Sequence, residues 1–335
     1  MSYNICMIDF LTNESWISPQ IDFLLLLQNF RLQHSDIYSK IFLSITAVGE
    51  VWFPVLICSI YYWCFDSKKG MYLYTLVGFH FMFGQLLKII AGVYRPWILC
   101  DKVQPVKEAM LHASGYSFPS GHSSMAASLF GGLAYIFRKK LFICFSFVFL
   151  ILLIAFSRLW LCVHTPQDVI AGMLIGAVWV FFVKFLIDWA ENNPKKRYMI
   201  LLFIIDVFAF LALIYICYFN NLPLDYVDGK LLVNPTKAAH TSVVCYGISL
   251  GIINGAFLCR SFFHFDVKKY SIIQRIVIGI IGSIILFFML RYPLEYCFSP
   301  ERDLKPAFLL PFLMGFCLTA IYPFIFTKIC KNEEV

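Results

Sequence analysis

Charge is what this sequence has least of. Asp, Glu, Lys and Arg make up 14% of its 335 residues and hydrophobic types 60%, against roughly 25% and 45–50% in an ordinary globular protein. No soluble fold of this length has interior enough for so much apolar side chain, so a soluble enzyme, a disordered scaffold and a collagen-like rod are excluded. A basic stripe with interleaved aromatics is also missing. The net charge of +7 comes as small clusters between apolar runs, the habit of cytoplasmic loops, and implies no nucleic-acid partner. Among 12 cysteines there is no C-x-x-C pair, which removes the usual zinc and redox signatures. Cys58, Cys64, Cys144, Cys217, Cys245 and Cys317 lie inside apolar segments, where a thiol serves as a small hydrophobe. Met1 to Gln20 lacks a basic stretch followed by an apolar core, so no cleavable signal peptide is expected there. No internal repeat or low-complexity tract is evident.

What is abundant is aromatic and apolar: 36 Phe and 18 Tyr suit lipid contact and the interfacial belt. The expectation is an all-α integral membrane protein, a bundle of about nine transmembrane helices with the catalytic core in the first five. The windows are 41–65, 71–93, 121–137, 141–157, 168–188, 198–219, 240–259, 272–290 and 307–327. Ile21–Phe30 is too short to span a bilayer, which takes about 20 apolar residues, and reads as a helix at the interface. Alternate loops carrying Lys68–Lys69, Arg138–Lys140, Lys195–Arg197, Arg260–Arg275 and Lys328–Lys331 hold more Lys and Arg than the others. They should be cytoplasmic, which puts the N-terminus, 94–120 and 158–167 outside. Cys100 and Cys297 then share the exterior side, where a disulfide could join them. The division is an interfacial segment 1–37, a core 38–190 and an extension 191–335.

Three short segments concentrate polar chemistry on that exterior face. In the first, Lys88 and Arg95 are seven residues apart, roughly 10 Å along a helix, so both should project from one face before Pro96 ends it. Two converging cations suit an anion with several oxygens, such as phosphate; a bland reading has both side chains snorkelling to headgroups. In the second, Pro119-Ser120-Gly121-His122, Ser120 is an N-cap, the helix-start amides suit phosphate oxygens, and Gly121 lets a ligand approach the backbone. In the third, Thr165-Pro166-Gln167-Asp168 reads as a helix start with Thr165 as cap, and His164 stands one turn from Asp168. A carboxylate that fixes the imidazole tautomer leaves the other nitrogen as a nucleophile or base. The bland alternative is a His–Asp pair that only pins two elements. Arg158 adds a third cation.

Taken together, K-x6-R-P, P-S-G-H and S-R-x5-H-x3-D resemble the signature of the type 2 phosphatidic acid phosphatase family. Every fixed position is present: Lys88, Arg95, Pro96, Pro119, Ser120, Gly121, His122, Ser157, Arg158, His164 and Asp168. Gly115–His122 is similar to the bacterial members. The resemblance covers about residues 40–190. It implies a phosphatase that needs no metal or cofactor and acts on a lipid phosphate in the bilayer. His164 would be the nucleophile, Asp168 its orienter and His122 the acid–base, with Lys88, Arg95, Ser120, Gly121 and Arg158 holding phosphate. It also implies a multi-pass inner (plasma) membrane location with the site on the non-cytoplasmic side. Competing readings are transfer of the phosphoryl group to an alcohol, hydrolysis of a soluble ester as in the nine-span glucose-6-phosphatase, and a non-catalytic binder or transporter. Asp206, inside the sixth window, is a functional candidate or a paired packing contact. Glu50, Lys184, Asp188 and Arg275 read as solvated or snorkelling residues near span ends. His34, His80, His112, His240 and His264 lack ligand spacing, although His112 lies in the exterior connection and could meet substrate.

Overall fold

The computed structural model describes residues 11, 13–111, 113, 115–219, 222, 224–227, 230–289, 297 and 304–331. Each of the nine windows is largely helical, the first broken at 48–51 and the second ending at Ala91. The helices are α1 (Glu14–Gln33), α2 (Ile37–Ala47), α3 (Trp52–Ile60), α4 (Ser67–Ala91), the short α5 (Pro96–Leu99) and α6 (Lys107–Leu111), and α7 (Gly121–Ile136). After them come α8 (Leu141–Trp160), α9 (Pro166–Glu191), α10 (Pro194–Ile214), α11 (Pro235–Leu258), α12 (Ile272–Met289), α13 (Leu304–Phe316) and α14 (Tyr322–Lys331). Two-residue strands, Tyr226–Val227 and Lys230–Leu231, form an antiparallel ladder between α10 and α11. Among the described residues seven helices are long and apolar enough to cross a membrane, and α2 with α3, counted as one span, makes eight. The third window, α7, has only 16 residues. This is a multi-span membrane protein.

The chain forms two compact units, and each draws on discontinuous segments. The first comprises Met1–Glu50, Phe83–Val178 and Ile216–Ala239; the second comprises Val51–Met82, Trp179–Tyr215 and His240–Val335. The chain leaves the first unit after Glu50, re-enters it within α4, leaves again within α9, returns after α10 and leaves for the last time within α11.

In the first unit α7 is the inner helix. It can be short because protein, not lipid, surrounds it: its residues from Ser123 to Phe130 are all buried. Close approach by α9 explains why so many are Ser and Ala. A Cβ on Gly172 would stand 2.6 Å from the Ser120 carbonyl oxygen, and one on Gly176 would stand 2.6 Å from both the Ser124 oxygen and the Ala127 Cβ. This is small-residue packing, four residues apart, of the kind that lets membrane helices touch backbone to backbone. Gly176→Val should therefore lower stability by about 1–3 kcal/mol, the usual cost of overpacking. A reduced thermal midpoint in detergent checks it, and an unchanged midpoint would mean that the helices separate freely.

Helix α1 is longer than the interfacial segment expected at 21–30. It buries Ile21, Leu24, Gln28 and Arg31, while Trp16, Phe23, Leu26 and Phe30 are exposed. Its inner face holds the third signature segment itself and the connection before α7. Arg31 donates to the carbonyls of Trp160 at 3.0 Å and Gln104 at 2.5 Å. Gln20 accepts from the Gln167 amide at 2.8 Å, and Trp16 Nε1 donates to Gln167 Oε1 at 2.6 Å.

The second unit is organised around α11, 89% buried over its apolar window. Gly247 and Gly251 allow α13 against it, since a Cβ there would meet Phe308 O at 2.4 Å and Phe312 O at 2.0 Å. Asp206 is paired, accepting from Asn254 Nδ2 at 2.9 Å. Glu191 takes a bidentate pair from Arg260, at 2.9 and 2.7 Å, with Tyr198 OH at 2.8 Å and Lys68 at 3.1 Å. Lys184 pairs with Asp188 one turn on, and Arg275 donates to the Tyr270 carbonyl at 2.9 Å. Cys100 and Cys297 are both free thiols, so the exterior disulfide is absent.

Candidate active site

The site is assembled wholly within the first unit, from the ends of α4, α7, α8 and α9. The end of α8 sets the geometry. Val163 N–H bonds Arg158 O at 3.2 Å and Cys162 N–H bonds Leu159 O at 2.9 Å, the paired bonds of a Schellman stop. That stop needs a left-handed residue where glycine is usual, and here Cys162 takes it at φ 56°, a cost of about 1–2 kcal/mol for a non-glycine residue. Apolar burial offsets the cost: Leu161, Cys162 and Val163 are all fully buried, in clusters with Trp160, Ala109, Leu24 and Val103. The turn reverses the chain so that Arg158, on the last helical turn, and His164, just past it, serve one site. Then α9 starts at Pro166, and Asp168 in its first turn accepts the Thr165 backbone N–H at 2.8 Å. The carboxylate thus fills the reciprocal half of a capping box.

Lys88 and Arg95 converge, but not from one helical face. The helix α4 stops at Ala91, Gly92 turns left-handed at φ 58°, and Arg95 is extended, capping α5. The spacing argument assumed a helix continuous to Arg95, whereas Gly92 gives a low-cost exit three residues earlier. Convergence comes through the loop: Arg95 Nε donates to Gly115 O at 3.1 Å and Nη1 to Val163 O at 2.9 Å, and Lys88 Nζ to Tyr116 O at 3.4 Å. Ser120 caps α7 as expected, accepting from Ser123 N at 3.4 Å, and its own N–H bonds Asp168 O at 2.9 Å. Gly121 lies beside Lys88, whose Nζ would be 4.0 Å from a Cβ placed there.

His164 is the centre of this arrangement, 2% exposed. Its Nε2 lies 2.8 Å from Arg95 Nη1. Its Nδ1 faces Asp168 Oδ2 and Ser117 Oγ, each at 3.4 Å. Ser117 in turn donates to Asp168 Oδ2 at 2.5 Å, so Oδ2 collects three donors. With Nδ1 carrying the proton toward oxygen, the Nε2 lone pair is directed at the guanidinium side of the site. Burial first, and then the charges of Arg95, Arg158, Lys88 and His122, hold the His164 pKa well below the ordinary histidine range. Arg158, 1% exposed, spends Nη1 on Thr46 Oγ1 at 2.7 Å, while Nε and Nη2 have no hydrogen-bond partner among the described residues. Buried guanidinium N–H groups are rarely left unpaired, and two of them suit the oxygens of a phosphate. Among the described residues no group of three or more His, Cys, Asp or Glu is placed to hold a metal ion.

All eight residues read from the motifs therefore belong to this unit, with the two arginines, Ser120, His164 and Asp168 buried and Lys88, Gly121 and His122 half-buried. His112 lies outside the described residues. Sequence reasoning passed over Ser117 and Thr46. Ser117 stood in plain view three residues before Ser120; Thr46, about 110 residues from Arg158, carried no local signal.

Residues 69–192 match the PAP2 superfamily and residues 243–334 match the PAP2 superfamily phosphatase, transmembrane extension. The chain is similar to phosphatidylglycerophosphatase B of Bacillus subtilis, 33% identical over 106 residues, 29% of this chain and 51% of that protein. It is also similar to an undecaprenyl-diphosphatase of Sulfolobus acidocaldarius, 26% identical over 157 residues, 47% of this chain and 72% of that one. The chain thus spans about half the length of the first of these relatives. A crystal structure of a transmembrane PAP2-type phosphatidylglycerolphosphate phosphatase from Bacillus subtilis superposes with a TM-score of 0.46 at 21% identity, covering 57% of this chain and 93% of that one. With two matches to one superfamily across the greater part of its length, this chain belongs to the PAP2 superfamily.

Proposed function

We propose that the protein hydrolyses a phosphate monoester or diphosphate carried by a membrane lipid, at the non-cytoplasmic face of an inner (plasma) membrane, through a phosphohistidine on His164. The observation that carries this reading is the division of labour between the two nitrogens of His164: Nδ1 faces Asp168 and Ser117, and Nε2 lies 2.8 Å from Arg95. Nε2 attacks phosphorus, forming the P–N bond as the bond to the leaving oxygen breaks. His122 protonates that oxygen, because an alkoxide leaves poorly at neutral pH. Arg95, Arg158 and Lys88, with Ser120 and the Gly121 amide, neutralise the charge on the equatorial oxygens. Water, deprotonated by His122, then breaks the P–N bond and releases inorganic phosphate. The relatives' names, a phosphatidylglycerophosphatase and an undecaprenyl-diphosphatase, support a lipid phosphate.

The test is phosphate release by purified protein in detergent containing EDTA, from undecaprenyl diphosphate, phosphatidate, phosphatidylglycerol phosphate and glucose 6-phosphate. Release from at least one lipid, faster than from the sugar phosphate, is expected. Release from glucose 6-phosphate alone would replace the lipid by a soluble ester, and none from any would overturn hydrolysis.

A further inference from the structure

We propose that Glu50 is a positioning residue for His122, the carboxylate that keeps this imidazole protonated and able to donate. The proposal rests on the hydrolytic reading above and adds a residue from outside the signature segments. The sequence suggested a solvated acid near a span end. The structure instead puts Glu50 half-buried in the catalytic unit, on the turn after α2.

Two contacts locate that turn. Thr46 Oγ1 accepts from Arg158 Nη1 at 2.7 Å. Three residues on, Gly49 lies against the His122 ring: a Cβ on Gly49 would be 3.0 Å from His122 Cδ2 and 3.4 Å from its Cβ. Successive bonds from Val48 to Ile45 O, Gly49 to Thr46 O at 2.9 Å and Glu50 to Ala47 O at 3.1 Å hold the backbone between them in one tight coil. Glu50 is therefore the next residue after the one that touches His122, and its charge is felt by Arg158. Gly49 is needed here, since any larger residue would push the turn off the imidazole.

The charges around His122 make a counter-ion necessary. From α4 comes Lys88, beside Gly121, the neighbour of His122 in sequence; from the start of α5 comes Arg95 and from the last turn of α8 Arg158, and all three act with His122 on His164. Lys88, Arg95 and Arg158 each disfavour an imidazolium nearby. Two of the unit's acids have partners of their own. Asp168 is engaged by Ser117, Thr165 and His164, and Asp225 accepts from Tyr94 OH. Glu50 directly follows Gly49, the residue that lies against the His122 ring. One pocket then holds two histidines in opposite states: His164 neutral for attack, His122 charged for donation, each tuned by its own carboxylate and surroundings.

The experiment compares wild type with the isosteric Glu50→Gln and with Glu50→Asp, using ring-labelled histidine to follow His122 by NMR and steady-state rates against pH. In Glu50→Gln the His122 pKa should fall by about one unit or more, and in Glu50→Asp it should stay near wild type. The alkaline limb of kcat should move down with it, so that above the limb hydrolysis of an alkyl phosphate falls about tenfold. An aryl ester such as p-nitrophenyl phosphate, whose leaving group needs no proton, should lose far less. An unmoved His122 titration, or equal losses on both esters, overturns the proposal. Failure of the hydrolytic reading would appear differently, as absence of phosphate release by wild type from every ester, and the His122 titration would still decide the role of Glu50.

Discussion

Replacement of His164 by alanine should abolish phosphate release, with a residual rate at least about a thousandfold below wild type, the scale on which removal of a covalent nucleophile acts. Retained folding is expected, because the ring does not hold the turn together: the Schellman bonds of Cys162 and Val163 and the apolar anchors Leu161, Cys162 and Val163 do that. Acid-labile labelling of the protein by a radioactive phosphate ester should be seen with wild type and lost in His164→Ala. Activity that survives the substitution would remove His164 from the chemistry. The same residue makes a prediction about pH. Burial and the neighbouring cations depress its folded pKa, so between that value and the unfolded value of about 6.5 an unfolded chain takes up a proton that the native one refuses. Native stability from this residue is thus complete above about pH 6.5 and falls as pH drops through it. As the proposed nucleophile His164 stays neutral through this range, and no acid limb near 6.5 should arise from it.

The second large effect is expected from Asp168→Asn. Oδ2 is the oxygen that takes the Ser117 hydroxyl, the Thr165 N–H and the His164 Nδ1 contact. An asparagine with its amide oxygen at that place keeps the first two bonds, so the fold and the start of α9 should persist. What it removes is the charge that favours an imidazolium on His164. We expect kcat to fall by about 10²–10⁴, by analogy of role with the orienting acid of a serine protease, with KM changed much less because the phosphate cations are untouched. Kinetics at several substrate concentrations separate the two. A rise in KM with kcat preserved would make Asp168 a binding residue rather than the orienter of His164.

How much of this was legible depends on distance along the chain. The nine helical windows were readable because apolar runs of that length have few alternatives, and α7 differs only in lying inside protein. The third signature segment was readable nearly in full: Pro166 at the first helical position and Asp168 in the first turn fix a local geometry that His164 inherits. The first was half readable. Its residues are right, but a left-handed Gly92 replaces the last helical turn that the seven-residue spacing seemed to promise. Contributions that fold in from afar left no trace in the spacing. Thr46 reaches Arg158 across 112 positions and Asp225 reaches Tyr94 across 131, and neither residue is unusual where it stands. The grip of α1 on Gln167 and Trp160 was equally hidden, because Gln20, Gln28 and Arg31 look like the polar face of any interfacial helix.

The return of Ile216–Ala239 to the first unit bears on how such a protein can be cut, fused or inherited. A fragment ending after α9 would carry every signature residue yet forfeit part of its own body, including the Asp225 acceptor for Tyr94, the neighbour of Arg95. Chimeras that exchange the C-terminal half should then be joined after Ala239, not at Glu191. Seen as ancestry, each unit is drawn from separated stretches of chain, so neither corresponds to a single segment that could be gained or lost alone.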